Sequence, residues 1–300
     1  MTLAAQVNFG LEELAGIDCG VKRKELYNEQ SMIEKLMNAY YKKDESHLKL
    51  NYNEQNIADL VEYAGMQEYD GDDSKRCGIY VGELITNLTE KNEKHGKQTI
   101  IDIPENRLDW LGSECKKFDV VRIGVNYGDH VFEYANKGNL LYVEDCEGSW
   151  FAEGFGNDGG KVGAIVGIKV GGSWFAEFAG NLGGKIGAIV GVNVKGGWFA
   201  ANAGNDGGKV GNVIGNNVSG NLFTQYASSY GGNIGNVVGV NVSGDGFADI
   251  GAGCNIGKIG KILVNSRNAD IEYNRIVERL NNEYNLNLKK VKVRKERSAS

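Results

Sequence analysis

Apolar and polar positions follow two different periods along this chain, a helical period first and a strand period later. Ile33, Leu36, Met37 and Tyr40 lie on one face of a helix when they are spaced at 3.6 residues per turn. This stripe predicts a helix from about Glu29 to Lys42.

Two further helices are expected before the period changes. Asn51 and Glu54 have the spacing of a capping box, and the apolar stripe behind them predicts a second helix. The polar run 70–73 predicts a linker, and a third stripe over residues 81–88 predicts a third helix. Residues 1–97 are therefore expected to form a small helical domain.

The later part of the chain repeats itself at a fixed interval of 24 residues. Each unit alternates apolar and small residues, as it does from Val162 to Val170, and glycine recurs every few residues. This alternation predicts a strand with one buried face, from which Ile165 is expected to point away. An interior glycine costs a helix about 1 kcal/mol, so the units are not helical. A fixed period in this range is typical of solenoids, propellers and arrays. The recurring phenylalanines are Phe151, Phe175, Phe199, Phe223 and Phe247.

A unit of this length, with two or three short strands and bends at glycine, fits one turn of a β-helix. A propeller blade needs about 40 residues or more, and these glycines do not keep the period of six of a left-handed hexapeptide helix. The predicted fold is mainly β: a right-handed parallel β-helix (solenoid) of about six turns at residues 98–265. The helical domain precedes it, and a capping helix with a basic tail follows at 266–300.

The ends of the solenoid are expected to differ from its middle, because terminal repeats must end the stack. Thr99 to Pro104 predicts a strand that the proline ends. Phe132 precedes Phe151 by 19 residues, which predicts a shorter first turn. Since an open sheet edge exposes unpaired backbone groups, we expect the helical domain to pack on the N-terminal edge.

An apolar stripe from Tyr273 to Tyr284 predicts a helix that caps the last turn. The tail behind it is basic and is expected to be solvated. A contact with an acidic partner or RNA is the alternative interpretation. The basic residues of the tail are Lys289, Lys290, Lys292, Arg294, Lys295 and Arg297.

Three units carry the glycine pattern G-x-x-G-x-x-x-G, at residues 156–163, 180–187 and 204–211. The pattern resembles that of the GXGXG β-helix domain, which ends the large chain of glutamate synthase and makes up much of one component chain of formylmethanofuran dehydrogenase. The resemblance covers roughly residues 118–265. It implies a structural β-helix with no active-site residue to carry over.

A tryptophan precedes the phenylalanine in three units, at Trp150, Trp174 and Trp198. Adjacent residues of a strand face opposite ways, and only phenylalanine persists through all units. We therefore expect the phenylalanines in the core and the tryptophans on the outer face. A stripe of exposed indoles predicts a contact site for the helical domain, a second subunit or a flat ligand.

Two polar columns are also expected from the repeat. Lys161, Lys185 and Lys209 would lie on neighbouring turns about 5 Å apart, where a bound anion is one interpretation and a solvated surface is the other. Three asparagines align in the same way and predict a ladder of amide–amide hydrogen bonds at a tight bend. They are Asn157, Asn181 and Asn205.

Catalytic chemistry has little support in the sequence. Glu153 and Glu177 align on neighbouring units, but Ala201 replaces them in the next unit. The three histidines lie outside the regular repeats, and the acidic run 70–73 lacks the glutamate of a calcium loop. Gly154 to Gly159 fits a dinucleotide fingerprint without the helix that this motif requires. We therefore predict no catalytic residue, no metal site and no cofactor.

Composition narrows the class of protein. A net charge of −6 over 300 residues disfavours general nucleic-acid binding. The sequence shows no signal peptide and no membrane span, and its five cysteines never form a C-x-x-C pair, which predicts reduced thiols in a cytoplasmic protein.

The functional hypothesis is a non-catalytic structural or interaction protein that docks a protein partner or a second copy of itself. An ancillary subunit of a redox enzyme, as the resemblance implies, is the first alternative. A sugar-acting enzyme that uses Glu153 and Glu177 is the second.

Overall fold

The structure is a computed structural model that describes residues 32–42, 50–67, 69, 71–219, 223–243 and 258–294. The chain divides into two compact units, residues 1–51 and 52–300. In the first unit, residues 32–42 form helix α1, as predicted. The predictions that fall outside the described residues concern Phe247, Lys295, Arg297, His47, Cys19 and Cys254.

The described residues of the second unit form three helices and one sheet of eight strands. The helices are α2 (Glu54–Gly65), α3 (Gly71–Lys94) and α4 (Arg267–Tyr284). The strands lie between α3 and α4 in the chain. They are β1 (Ile100–Asn106), β2 (Val120–Asn126), β3 (Lys137–Cys146), β4 (Lys161–Ile168), β5 (Lys185–Val192), β6 (Lys209–Asn216), β7 (Asn233–Val240) and β8 (Lys258–Val264).

The strands pair in the order in which they occur in the sequence, and every pair is parallel. Each connection therefore returns the chain to the end of the sheet at which the strands begin. The prediction of a parallel β-helix of about six turns is confirmed. This unit also contains α2 and α3, so it begins before the boundary at residue 97 that the sequence analysis suggested.

The first turns are shorter than the later ones, as predicted. Equivalent residues are 20 positions apart at Asn106 and Asn126 and 24 positions apart at Asn157 and Asn181. The expected equivalence of Phe132 and Phe151 was wrong, because Phe132 takes the place that Ala152 has in the next turn. Each of these two residues donates its backbone N–H to the preceding turn.

Phenylalanine side chains fill the interior of the solenoid, as predicted. Phe151, Phe175, Phe199 and Phe223 are at most 1% exposed, and their ring centroids lie 5.2, 5.2 and 4.9 Å apart along the stack. We call these four residues the inner ladder. Glycines of the facing strands leave room for the rings. A Cβ atom at Gly191 would lie 2.4 Å from the ring of Phe199.

The assignment of the strand faces was wrong in the sequence analysis. Gly167 faces the ring of Phe175, so Ile165, two residues earlier on the same face, belongs to the interior. Ala164 and Val166 point to the outer face, where they are fully buried. Both faces of the sheet are therefore covered, which explains why apolar residues do not simply alternate with polar ones.

Helix α4 covers the outer face of the sheet, whereas the sequence analysis expected it over the last turn. Tyr273, Ile276 and Leu280 belong to one buried cluster that extends from Val120 on β2 to Val240 on β7. A helix of 18 residues is about 27 Å long, enough to cross five or six strands. The helix packs there because the outer positions of successive turns form a continuous apolar stripe.

The basic tail follows α4 back along the sheet as far as residue 294. Its backbone is held by α4, while the side chains of Lys289, Lys290 and Lys292 are exposed, as expected of a solvated tail. The backbone N–H of Arg294 donates to Asp270 Oδ2 at 2.8 Å, and the carbonyl of Val291 accepts from Asn274 at 2.8 Å. Lys290 pairs with Glu278 at 3.0 Å. Side chains of α4 thus satisfy backbone groups of the tail.

Helices α2 and α3 cover the N-terminal edge of the solenoid, as the sequence analysis expected of the helical segment: α2 packs on β1, and α3 packs on the loop that follows it. Gly112 donates its N–H to the carbonyl of Gly78 at 3.0 Å, and Lys116 donates its N–H to Thr86 Oγ1 at 3.2 Å. The helix approaches closely, since a Cβ at Gly78 would lie 2.2 Å from the carbonyl oxygen of Trp110. These backbone donors of the first turn therefore have partners.

Three local predictions differ from the structure. The capping box of α2 uses Asn53 and Asn56 and so lies slightly later in the chain than expected. Residues 71–73 of the predicted linker belong to α3, which begins at Gly71, and Asp72 and Asp73 lie in its first turn, where the helix dipole favours them. Strand β1 continues past Pro104, which an edge strand tolerates.

The asparagine ladder exists with a different bonding pattern. Asn157 Oδ1 accepts from the backbone N–H of Asn181 at 2.8 Å, and Asn181 Oδ1 accepts from that of Asn205 at 2.8 Å. The predicted contact between side-chain amides occurs in a second column instead, at 2.9 and 3.0 Å. That column consists of Asn193, Asn217 and Asn241.

The wall opposite the sheet has an unusual backbone. From Trp150 to Gly156 every second residue has a positive φ, between 54° and 70°. Trp150 donates its N–H to Ser173 of the next turn, and Ala152 donates its N–H to Val131 of the preceding turn. A left-handed conformation costs a non-glycine residue about 1–2 kcal/mol, and these hydrogen bonds between turns offset that cost.

Among the described residues, no helix combines the length and the apolar character that crossing a membrane requires.

Candidate functional site: an aromatic and acidic face

A column of stacked aromatic rings runs along the outside of this wall. Trp110 stacks on His130 at 3.9 Å, His130 on Trp150 at 4.7 Å, and Trp150 on Trp174 at 4.5 Å, each pair within 5° of parallel. We call these four residues the outer ladder. All four are half-buried, so the expected outward position of the tryptophans is confirmed.

The repeat places Trp198 next in this column. Trp174 donates its N–H to the carbonyl of Gly197 at 3.1 Å, which aligns Trp198 with Trp174, and Trp198 is also half-buried. All four tryptophans of the chain therefore lie in this column.

Trp110 and His130 were not predicted from the sequence, because their turns have the shorter spacing and His130 is not a tryptophan. A usable signal was present in the residue before each ring. Asp109 accepts from the N–H of Asp129 at 2.8 Å, and Asp129 accepts from the N–H of Ser149 at 2.6 Å. An acidic residue followed by an aromatic ring thus recurs at the spacing of the shorter turns.

A lysine of helix α3 covers the end of the outer ladder. The ammonium group of Lys75 lies 4.3 Å from the ring centroid of Trp110. An aromatic face attracts a cation in this position. The sequence analysis did not foresee this contact, because Lys75 is remote from the repeats.

Three carboxylates lie beside the outer ladder on successive turns. We call Glu133, Glu153 and Glu177 the acidic column. Glu133 and Glu177 are each 6% exposed, and Glu153 is half-buried. His130 Nδ1 lies 2.9 Å from Glu133 Oε2, and Asn202 donates to Glu177 Oε1 at 3.1 Å.

Burial changes the proton affinity of this column. It raises the pKa of Glu177 to about 7, where the hydrogen bond from Asn202 opposes the shift and the charge of Glu153 adds to it. It also raises the pKa of Glu133 and of Glu153. The pKa of His130 is lowered, mainly by burial, although the neighbouring carboxylates oppose this shift.

Exposed aromatic side chains continue the face on the other side of the acidic column. Tyr134, Phe178 and Tyr226 occupy the same register position on alternate turns, and all three are exposed. The acidic column therefore lies between half-buried indoles and exposed rings. Such a surface combines apolar area with negative charge.

The lysine column lies on the sheet side of the solenoid. Lys161, Lys185 and Lys209 take equivalent positions on β4, β5 and β6, as predicted. Lys137 and Lys258 extend the column, with an asparagine between the last two lysines. A groove of about 560 Å³ lies along the column from Lys161 to Lys258, and its floor is formed by valine, isoleucine and glycine.

Three cysteines are free and buried, which agrees with the expectation of structural thiols. They are Cys77, Cys115 and Cys146. Burial raises the pKa of Cys77 and Cys115 to about 11, so these thiols are poor nucleophiles. Among the described residues, the chemistry of the outer wall therefore belongs to the carboxylates and His130.

Comparisons with known protein families, with curated proteins and with solved structures found no match. The resemblance to the GXGXG domain therefore stays a prediction from the glycine pattern.

Proposed function

We propose that this chain is a non-catalytic interaction protein, a β-solenoid scaffold that docks a protein partner on the outer ladder and the acidic column. The partner presents basic side chains to this face. Buried carboxylates suit arginine and lysine through ion pairs. An indole face at the end of the ladder suits a cation, and the exposed edges of the stacked indoles add apolar area.

The contact of Lys75 with Trp110 carries the proposal. It is an intramolecular example of the recognition we propose, since its ammonium group lies 4.3 Å above the ring and its charge also acts on Glu133. On the next turns Glu153 and Glu177 repeat the carboxylate. The indoles beside them stack face to face, so a basic side chain would pair with the carboxylates there.

The exposed rings beside the column support docking as well. Aromatic residues dominate the energetically important positions of protein interfaces, because they bury a large area at a small cost in conformational entropy. Tyr134, 55% exposed, and Phe178, 38% exposed, provide such area on this face.

The test compares capture of partners from native extract by three baits, with chemical cross-linking and quantitative mass spectrometry. The baits are the wild type, Trp150→Ala/Trp174→Ala, and the control Ile271→Ala. Ile271 is 45% exposed and lies on α4, across the sheet from the solenoid interior. We expect the double variant to lose a captured basic protein by roughly 30-fold, the effect of removing an interface hot spot.

Direct binding by the captured partner is measured by tryptophan fluorescence, because all four tryptophans lie in this column. A change of emission with wild type and with Ile271→Ala supports the proposal. Equal capture by the double variant, or a captured partner that leaves the emission unchanged, contradicts it.

A second candidate is a sugar-acting enzyme, favoured by the pKa of Glu177 beside half-exposed indoles. A carboxyl group that stays protonated near neutral pH is suited to a general acid, and indoles stack on sugar rings. Hydrolysis of a soluble polysaccharide that Glu153→Ala abolishes would support this candidate.

The remaining predictions stay open as proposals. A redox-enzyme partner in the capture experiment would favour an ancillary subunit. Anion binding along the lysine column is supported by its groove, and a nucleic acid contact by the tail would use the exposed side chains of Lys289 and Lys292. A reducing compartment such as the cytoplasm is supported by the free, buried cysteines.

A further inference from the structure

His130, Glu133 and Glu153 form a cluster of metal-binding side chains at the centre of the outer ladder. One ligand atom from each residue lies within 4.8 Å of the other two. Glu153 belongs to the turn after the one that carries His130 and Glu133, and the stacking of turns brings it to them. The cluster is therefore a product of the repeat register.

We propose that these three residues bind a divalent transition-metal ion of the Zn²⁺ type. One imidazole nitrogen and two carboxylate oxygens are a donor set that suits such ions. Zn²⁺ binds nitrogen and oxygen ligands at about 2.0–2.2 Å. Ligand atoms around a tetrahedral Zn²⁺ lie about 3.4 Å apart. The widest separation in the cluster is at most 4.8 Å and has to shorten, while the 2.9 Å contact of His130 with Glu133 has to open slightly.

The imidazole is held in place before any ion binds. Trp110 and Trp150 enclose its ring at 3.9 and 4.7 Å, both within 5° of parallel. Because both faces of the ring are covered, only its edge can reach the carboxylates, and Nδ1 lies 2.9 Å from Glu133 Oε2. A ring held by stacking on both faces loses little rotational freedom when it ligates a metal.

The charge around His130 favours a cation. Asp109, Asp129 and Glu153 act on the imidazole in addition to Glu133, and Lys75 is the opposing positive charge among the groups that act on it. The side chain of Glu133 is 8% exposed, and a buried carboxylate is stable only when it is compensated. A divalent ion compensates two carboxylates at once.

The cluster is accessible to solvent, and its three residues would leave one coordination position of the ion free. His130 and Glu153 are half-buried, so an ion can reach them from solvent. Three protein ligands leave a fourth position for water or for a group of a partner. The ion would replace the proton that lies between His130 Nδ1 and Glu133 Oε2.

No metal site was predicted from the sequence, because His130, Glu133 and Glu153 do not follow the spacing of a known metal-binding motif. His130 and Glu133 are close in sequence, but Glu153 joins them only when a turn of 20 residues stacks in register. The regular repeats of 24 residues do not contain the histidine.

The experiment measures Zn²⁺ binding to the full chain by calorimetry after treatment with a chelator, and Co²⁺ binding by quenching of tryptophan emission. We expect one Zn²⁺ per chain and quenching by Co²⁺, since Trp110 and Trp150 enclose the ligand ring. Glu153→Gln keeps the shape of the side chain and should weaken binding by roughly 100-fold or more. His130→Phe should do the same while it preserves the stack.

Glu62→Gln is the control, because it removes one carboxylate at an exposed position of α2 that is not among the groups acting on His130. It should leave the affinity unchanged, and circular dichroism checks that all variants fold. Absence of stoichiometric binding would overturn the proposal, as would equal affinity in Glu153→Gln and His130→Phe to that of the wild type, which would place the ion elsewhere. The capture experiment is independent of both results, so the docking proposal stands or fails separately.

Discussion

The inner and outer ladders are neighbours in sequence and in space, yet they have different surroundings. Phe175 follows Trp174 directly, and both stack on their counterparts one turn away, at 5.2 Å and 4.5 Å. The phenylalanine is 1% exposed and the tryptophan is half-buried. The same repeat thus builds one column that water does not reach and one that it does.

Because of this difference, we expect the inner ladder to contribute mainly to stability and the outer ladder mainly to recognition. A ring of the inner ladder gains the full free energy of leaving water, whereas a ring of the outer ladder gains mainly from stacking on its neighbours. The outer column can therefore vary, and His130 takes the place of a tryptophan there. The acidic column lies on the outer side, while the inner ladder has glycine and aliphatic neighbours.

The largest expected effect is that of Phe175→Ala. Removing a fully buried ring should lower the free energy of unfolding by about 3–5 kcal/mol, because the site loses its apolar burial and leaves a cavity between two rings. Urea denaturation measures this change. Phe178→Ala, at an exposed ring of the same turn, is the control and should cost far less. Similar losses in the two variants would contradict the assignment of the core.

Trp174→Ala should have a smaller effect on stability. Stacking contributes about 0.5–1.5 kcal/mol per aromatic pair, and Trp174 stacks on Trp150 at one face while its exposed part gains nothing from folding. The same denaturation experiment checks this value. A loss as large as that of Phe175→Ala would show that the outer ladder is part of the core and would weaken the case for docking.

The smallest expected effect is on the pH dependence of stability. The pKa of Glu177 is raised to about 7 in the folded protein, so the folded state holds this proton more tightly than the unfolded state does. The stability that it contributes is present below the unfolded pKa and is lost as pH rises through about 7. Glu177→Gln carries no such proton.

Thermal unfolding between about pH 4.5 and 7.5 tests this prediction. The melting temperature of the wild type should fall relative to that of Glu177→Gln as the pH rises. Glu133 and Glu153 are present in both proteins, so the difference between the two curves reports Glu177. A constant difference across this range would contradict the raised pKa.

Much of the fold could be predicted because in-register copies place identical side chains on top of one another. Phe151 and its equivalents, the lysine column and the outward tryptophans all follow from the spacing alone. The early turns were harder to predict, since their spacing is shorter and Phe132 suggested a false alignment. The predictions at Pro104 and at residues 71–73 were wrong because they relied on local preferences alone. An edge strand tolerates a proline, and the first turn of a helix accepts acidic residues.

The sequence by itself determined that this chain stacks its repeats with phenylalanine inside, since a fixed period with one invariant apolar position has few other solutions. Only the tertiary structure decided which face of the sheet points inward, where α4 packs, and that Lys75, His130 and Glu133 join the repeat face. The reason is physical. These contacts depend on residues remote in sequence, and on a left-handed backbone that non-glycine residues such as Trp150 adopt only when neighbouring turns supply hydrogen bonds.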